Sequence, residues 1–252
     1  MIPKVIHYCW FGRGPIGSLG EQCIASWKKF FPDYEIKEWN EENFDVNCIP
    51  YVAEAYQARK YAFVSDYARI WILYHYGGVY FDTDVEVIRP FDDILQMGGF
   101  LGCENEPRQG ERLYVNLGLG MACEPEHPLI KEFLDYYGDQ HFINPDQTPN
   151  LTTVVVRITT VLERYGLRHT GDIQDIEGIR IYPKDYFCPI DTRGKLLHIT
   201  PNTRSIHHYA GSWSSPWPRF KKKIARLIGA NATMAIINVK SFVRRLFTHG
   251  KE

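Results

Sequence analysis

Two aspartates, Asp82 and Asp84, stand one residue apart near the end of the stretch 61–89, YAFVSDYARIWILYHYGGVYFDTDVEVIR. On extended backbone an i, i+2 pair points both side chains the same way. Carboxylates held that close repel each other unless a cation lies between them, so a divalent metal ion is the natural inference. Upstream, Asp66 and Arg69 lie one turn apart on a shared face if that segment is helical. The four charges together would make a floor for a phosphorylated ligand.

A lone D-x-D occurs often in solvated loops, so its weight comes from the elements that must position it. Ala62, Ile70 and Leu73 supply apolar residues at helical spacing. Gly77 and Gly78 then stop the helix where a left-handed cap residue is expected. Val79, Tyr80 and Phe81 read as a short buried strand that delivers Asp82-Thr83-Asp84 at its end.

The N-terminal part prepares the same edge. Residues 2–10, IPKVIHYCW, form a first strand, and FGRGPIGSLG after it is a glycine-rich loop able to approach a ligand closely. It is neither a dinucleotide fingerprint nor a Walker loop. Residues 19–31 suit a helix with Leu19, Cys23, Ile24, Trp27 and Phe30 inward, and Tyr34 to Trp39 a second strand, with Asn40 placed to cap a following helix. Strand, helix, strand is the start of a nucleotide-binding α/β sheet. Ligands of such sheets sit beyond the carboxyl ends of the strands, where Trp10 and Asp82 both fall. Trp10 is placed there to stack on a nucleobase.

Further on, Leu113 to Met121 reads as a strand, with Asn116 a polar residue among apolar ones. Residues 128–137 and 151–165 read as helices, and IEGIRIYPKDYFCPID as late strands.

At 252 residues, 44% hydrophobic and 14% aromatic, the chain fits one well-buried α/β domain with extensions rather than a disordered chain. The net charge of −1 hides an asymmetry. Residues 219–252 hold nine Lys/Arg against Glu252 alone, leaving 20 basic and 29 acidic residues in the first 218. We therefore expect a catalytic domain over 1–218 and a basic amphipathic helical tail over 219–252, suited to an anionic membrane surface. No nucleic-acid partner is expected. Six cysteines without metal-type spacing, and an opening MIPKVIHY without a signal-peptide core, point to reduced thiols in a cytoplasmic protein peripheral on the inner membrane face.

Three motifs in order, IPKVIHYCWFG, SDYARIWILYHYGGVYFDTDV and SIHHYAGSW, resemble the D-x-D glycosyltransferases of family 32. That family groups capsular-polysaccharide transferases with fungal mannosyltransferases and is related to the catalytic domain of clostridial glucosylating toxins. The resemblance implies a GT-A type, Rossmann-like fold with a central mixed sheet flanked by helices. It also implies a nucleotide-sugar donor, Mn²⁺ or Mg²⁺, and retention of anomeric configuration. By position, Trp10 matches the aromatic on the donor base, and Asp66 and Arg69 the pair contacting donor sugar and phosphate. Asp82 matches the carboxylate reaching ribose and metal, and Asp84 a direct metal ligand. His208 falls at a third metal or pyrophosphate contact, and Ser212 and Trp213 in a loop closing over the diphosphate. Asn116 joins the donor-binding set, while Glu104, Asn105 and the segment 182–187 face the acceptor. Catalysis is expected from Asp66, Arg69, Asp82 and Asp84.

The implied reaction moves a hexose, from UDP-galactose or UDP-glucose first, to a saccharide or lipid-linked saccharide in bacterial surface-polysaccharide synthesis. Two other readings compete with it. VYFDTDV also fits the signature of aspartate-nucleophile phosphatases, with Asp82 phosphorylated and Asp84 the acid, but a matching late lysine and acidic pair are poor. A non-catalytic carbohydrate-binding protein would not need Asp82 and Asp84 intact.

Overall fold

The structure, a computed structural model, describes residues 1–191 and 196–211. The tail 219–252, together with Ser212 and Trp213, lies outside the described residues.

The chain begins with β1 (Val5–Cys9), a β-branched and aromatic strand, followed by α1 (Ser18–Phe30) and β2 (Glu35–Trp39). Two helices come next, α2 (Pro50–Gln57) and α3 (Tyr61–Tyr76), then β3 (Gly78–Tyr80) and β4 (Val85–Val87). After them run α4 (Asp92–Leu95), β5 (Gly99–Gly102), a 3-10 turn (Leu117–Leu119) and β6 (Met121–Cys123). The last third supplies α5 (Pro128–Gly138), α6 (Val154–Arg164), β7 (Gln174–Ile176), β8 (Ile179–Tyr182) and α7 (Lys184–Phe187). Three short strands follow: β9 (Ile190–Asp191), β10 (Leu196–Leu197) and β11 (Ser205–His207).

Seven strands form one mixed sheet in the order β2-β1-β3-β6-β5-β8-β7. The first three run parallel, β6 is antiparallel to both β3 and β5, β8 is parallel to β5, and β7 closes the edge antiparallel to β8. The expected α/β class, a central mixed sheet flanked by helices, is what the chain adopts. Outside this sheet, β11 pairs antiparallel with β4. That pairing brings a segment from residue 205 onward back beside the aspartates.

Two apolar clusters hold the layers together. One contains Tyr67, Ile70, Leu73, Leu101, Met121, Phe133 and Ile158; the other contains Trp27, Phe31, Val79, Phe81, Phe91, Phe100 and Phe187. Each large apolar side chain removed from water contributes roughly 1.5–3 kcal/mol before entropy is counted. Helix α3 is the pivot. It packs on α2, α5 and β1, and its buried residues lie around most of its circumference, Asp66 and Arg69 among them. A helix wrapped in this way is an internal strut, not a surface helix. It stops at Gly77, whose φ of +61° is the left-handed geometry that glycine adopts at least cost.

Three local expectations are corrected. The late segment IEGIRIYPKDYFCPID carries strands β8 and β9 but is interrupted by helix α7 at Lys184–Phe187. Leu113 to Met121 is not one strand. The Asn116 side chain accepts from Gly118 N at 2.8 Å and turns the chain into a 3-10 turn before β6 begins. Asn40 caps no helix either: its Oδ1 accepts from Glu42 N at 2.8 Å in a local turn, and α2 starts only at Pro50. Met1–Tyr209 forms one compact unit. The expected boundary at residue 218 lies outside the described residues, and no described helix is long and apolar enough to cross a membrane.

Candidate active site

The register of the parallel strands explains where the chemistry collects. Ile6 lies beside Val79 and His7 beside Tyr80, so β1 and β3 end at the same edge of the sheet. Trp10 follows one strand and Asp82 the other. Trp10 is half-buried, and its indole N–H donates to Gly14 O at 2.6 Å, tying it to the glycine-rich loop.

Behind Asp82 stands a charged pair on α3. Arg69 Nη2 lies 3.1 Å from Asp82 Oδ1 and 3.2 Å from Asp66 Oδ1, and its Nε donates to Ser65 O at 3.0 Å. The guanidinium also lies over the Tyr80 ring, 5.1 Å from its centroid, while Tyr80 Oη donates to Asp82 Oδ1 at 3.0 Å. Arg69 and Asp66 keep only 5% and 11% of their side-chain surface, so they support Asp82 from below. Burial disfavours the Arg69 charge, but Asp82, Tyr80 and Asp66 hold its pKa above the ordinary value. Desolvation would likewise raise Asp82; Arg69, His207 and Tyr80 outweigh it and hold the carboxylate below its usual range. Asp66 goes the other way. Burial, opposed by Arg69 and reinforced by Asp82, pushes it up to about 6.

The third group beside the aspartates is His207, not His208. His207 Nε2 lies 3.3 Å from Asp84 Oδ1 and 3.9 Å from Asp82 Oδ2. The expected ligand His208 instead sets its ring 2.9 Å from Glu86 Oε2, and only its backbone N–H reaches Asp84, donating to the carbonyl at 2.9 Å. The reason is the pleat: neighbouring residues on a strand face opposite ways, so moving by one residue exchanges the two imidazoles. A signal for this was present in the sequence. Alternation from the apolar Ile206 puts His207 on the face opposite it, although the direction of that face depends on a pairing with β4 that no local pattern announces.

One ligand atom from each of Asp82, Asp84 and His207 falls within 4.8 Å of the others. Burial lowers the affinity of His207 for a proton, yet Asp82 and Asp84 raise its pKa above the usual value. Among the described residues, His207 Nδ1 is buried without a hydrogen-bond partner. Two carboxylates that hold up an imidazole in this way demand positive charge at their centre, and the donor set fits a divalent ion.

Asn116 is buried, with both ends of its amide engaged: Nδ2 donates to Glu104 Oε2 at 2.7 Å and Oδ1 takes the Gly118 N–H. Gly118 in turn backs onto Asp82, whose carboxylate a Cβ at that position would strike. Sequence reasoning had not singled out Gly118, His207 or the Tyr80 hydroxyl.

Residues 18–100 match the glycosyltransferase sugar-binding region containing a DXD motif. The chain is 29% identical over 140 residues to inositol phosphoceramide mannosyltransferase 1 of Schizosaccharomyces pombe, covering 51% of this chain and 40% of that protein. It is 28% identical to an uncharacterized glycosyltransferase of Acanthamoeba polyphaga mimivirus, over 75% of this chain and 78% of the viral one. Among solved structures, the PaToxG glycosyltransferase is similar at a TM-score of 0.47 and 20% identity, covering 65% of this chain and 69% of that one. The chain spans less than half the length of the fission-yeast relatives it matches. The D-x-D at Asp82 and Asp84 lies inside the region that matches the glycosyltransferase family model.

Proposed function

We propose that this protein is a metal-dependent, retaining glycosyltransferase that moves a hexose from a nucleoside diphosphate sugar to a saccharide acceptor. The observation that carries the reading is the convergence of Asp82, Asp84 and His207 at the carboxyl edge of β3, with Arg69 and Asp66 beneath. A divalent ion held by these three ligands would supply Lewis-acid stabilisation of the diphosphate charge. An imidazole beside two carboxylates favours Mn²⁺ over Mg²⁺.

The chain's own residues have separable tasks. Arg69 and Tyr80 fix the orientation of Asp82, so that its free oxygen faces the site without reorganisation during the reaction. Asp66 balances Arg69. Trp10, at the end of β1, offers an aromatic face to the donor base, and the family resemblance assigns Ser212 and Trp213, which lie outside the described residues, to the diphosphate. In the reaction the bond from the anomeric carbon to the leaving phosphate oxygen breaks as an acceptor hydroxyl attacks from the same face. The hydroxyl proton passes to the departing phosphate.

The sugar is a hexose. UDP-galactose and UDP-glucose are the first donors to test, and GDP-mannose joins them because several relatives are named mannosyltransferases. The acceptor belongs to a bacterial surface polysaccharide, capsular or lipopolysaccharide, either as a saccharide or linked to lipid. The basic tail 219–252 holds the enzyme on the anionic cytoplasmic face of the membrane, each cation contributing ~1 kcal/mol. Removing the tail is expected to release the protein from anionic vesicles; undiminished cosedimentation would refute this attachment.

The deciding experiment is thermal unfolding with a panel of nucleoside diphosphates and sugar nucleotides, with and without Mn²⁺. A ligand at a hundredfold excess over Kd raises stability by ~2.7 kcal/mol. A shift that needs both Mn²⁺ and one nucleotide is expected; the absence of any shift would overturn the proposal.

A further inference from the structure

A concavity is linked to the aspartate cluster by side-chain contacts. It is a cleft of about 1070 Å³ whose walls include Glu104, Pro183, Tyr186 and Pro189. Two chains of contact join its wall to the Asp82–Asp84–His207 cluster. In the first, the Glu104 carboxylate accepts from Asn116 Nδ2 at 2.7 Å, Asn116 holds Gly118 N, and Gly118 abuts Asp82. In the second, Cys188 lines the cleft and sets its Sγ 3.0 Å from Tyr209 Oη, while the Tyr209 ring meets His207 edge-on at 4.2 Å between centroids. A molecule in the cleft therefore lies next to the donor chemistry without occupying it.

The charge of the lining is lopsided. Glu104, Glu106, Glu111, Asp185 and Asp191 face it against two permanent cations, Arg108 and Lys184. Some of these acids are already engaged: Asp185 Oδ2 accepts from Thr200 Oγ1 and Asn202 Nδ2, each at 3.0 Å, and Glu111 Oε2 accepts from Arg108 N at 3.2 Å. Carboxylates are strong acceptors for sugar hydroxyls and repel phosphates and uronates. The prolines, Tyr186 and the exposed Ile173 add the apolar surface on which the C–H face of a sugar ring rests.

We infer that this cleft is the acceptor subsite and that it selects an uncharged, hydroxyl-rich sugar unit over one bearing phosphate or carboxylate. The inference rests on the glycosyl-transfer reading and adds to it the class of acceptor. Glu104, shared between the cleft and Asn116, is the residue through which an acceptor hydroxyl is aligned with the donor.

The test is saturation-transfer NMR on the full chain with methyl glucoside, methyl glucuronide and glucose 6-phosphate as probes. Wild type is expected to bind the glucoside at least tenfold more tightly than either anion. The double variant Glu106→Gln, Glu111→Gln should narrow that gap severalfold, and Ile173→Trp should weaken the glucoside. Equal or tighter binding of the anions, no binding of the glucoside, or binding indifferent to Ile173→Trp would overturn the inference. The nucleotide and Mn²⁺ thermal response is read in the same samples. If that response is missing while the glucoside preference holds, the transfer reading fails and the saccharide site survives; the reverse pattern removes the cleft and leaves the transferase.

Discussion

His207 Nε2 lies 3.3 Å from Asp84 Oδ1, across the pairing of β11 with β4 that brings residue 207 beside Val85. This long-range contact, between residues 123 positions apart, completes the candidate ion site. His207→Ala is therefore expected to lower Mn²⁺ affinity at least ~10-fold, since even outer-shell partners of metal ligands contribute that much. His208→Ala, which removes a partner of Glu86 instead, should lower Mn²⁺ affinity by less than that ~10-fold outer-shell scale. Calorimetric titration of both variants with Mn²⁺ in the presence of nucleotide decides between them, and the opposite ranking would return the site to His208.

Arg69 lies buried between Asp66 and Asp82, so removing it takes away the cation the two carboxylates share and leaves Asp82 to Tyr80 and His207. Arg69→Ala should cost on the order of 3–5 kcal/mol, the range for breaking a buried pair from one side. The loss should depend on pH with a definite sign. Losing the guanidinium raises the folded-state pKa of both carboxylates relative to wild type, so the variant's folded state binds more protons and its deficit grows as pH rises. Urea denaturation at pH 5 and pH 8 is expected to show the larger deficit at pH 8. Equal deficits would assign the effect to lost packing alone.

Much of this arrangement was legible in the sequence because it is local. Gly77, the apolar run 79–81 and the spacing of Asp66 and Arg69 fix helix, stop and strand within one continuous stretch, and the structure keeps that order. Asn116 was visible as a polar residue in an apolar run, but its effect was not. Its side chain bonds the backbone two residues on and breaks the run into a turn, which periodicity does not register. His207 was missed for the opposite reason. The choice between adjacent histidines depends on which face of β11 meets β4, a tertiary relationship with no local trace. The acidic cleft likewise gathers side chains from 104 to 202, and no single window of sequence contains it.

Gly118 tests how tightly the support beneath Asp82 is built. It is buried, its N–H is held by Asn116 Oδ1 at 2.8 Å, and a methyl group there would strike the Asp82 carboxylate. Gly118→Ala should therefore displace Asp82 from Arg69 and Tyr80 while leaving the sheet in place. The expected outcome is a loss of Mn²⁺ affinity of about tenfold or more, with an overpacking cost of ~1–3 kcal/mol in stability. Calorimetry and thermal unfolding on the same sample separate the two effects. Normal ion binding in a destabilised protein would mean that Asp82 yields without losing its alignment.

Acid should loosen the strand that carries Asp82 through a different residue, His7. Trp39 Nε1–H donates to His7 Nδ1 at 3.0 Å, so the ring proton sits on Nε2 and points to Gly77 O at 3.1 Å. A second proton on Nδ1 would face a donor. Burial, with a smaller contribution from Lys37 and against the bond to Gly77, lowers this imidazole from 6.5 to about 4. Between those values the unfolded chain binds the extra proton and the folded one does not, so stability is full above pH 6.5 and declines as pH falls toward 4. The whole shift corresponds to ~3 kcal/mol. His7→Gln, which keeps an amide able to donate to Gly77 without titrating, should flatten the dependence of unfolding free energy on pH across this window. Parallel curves for wild type and variant from pH 4 to pH 7, bracketing that pKa range, would show that acid lability arises elsewhere. If the curves diverge as expected, the same measurement with Mn²⁺ and nucleotide present links the Gly77 stop to the ion site. Loosening β3 moves Asp82, so ligand should recover part of the stability lost between pH 6.5 and 4.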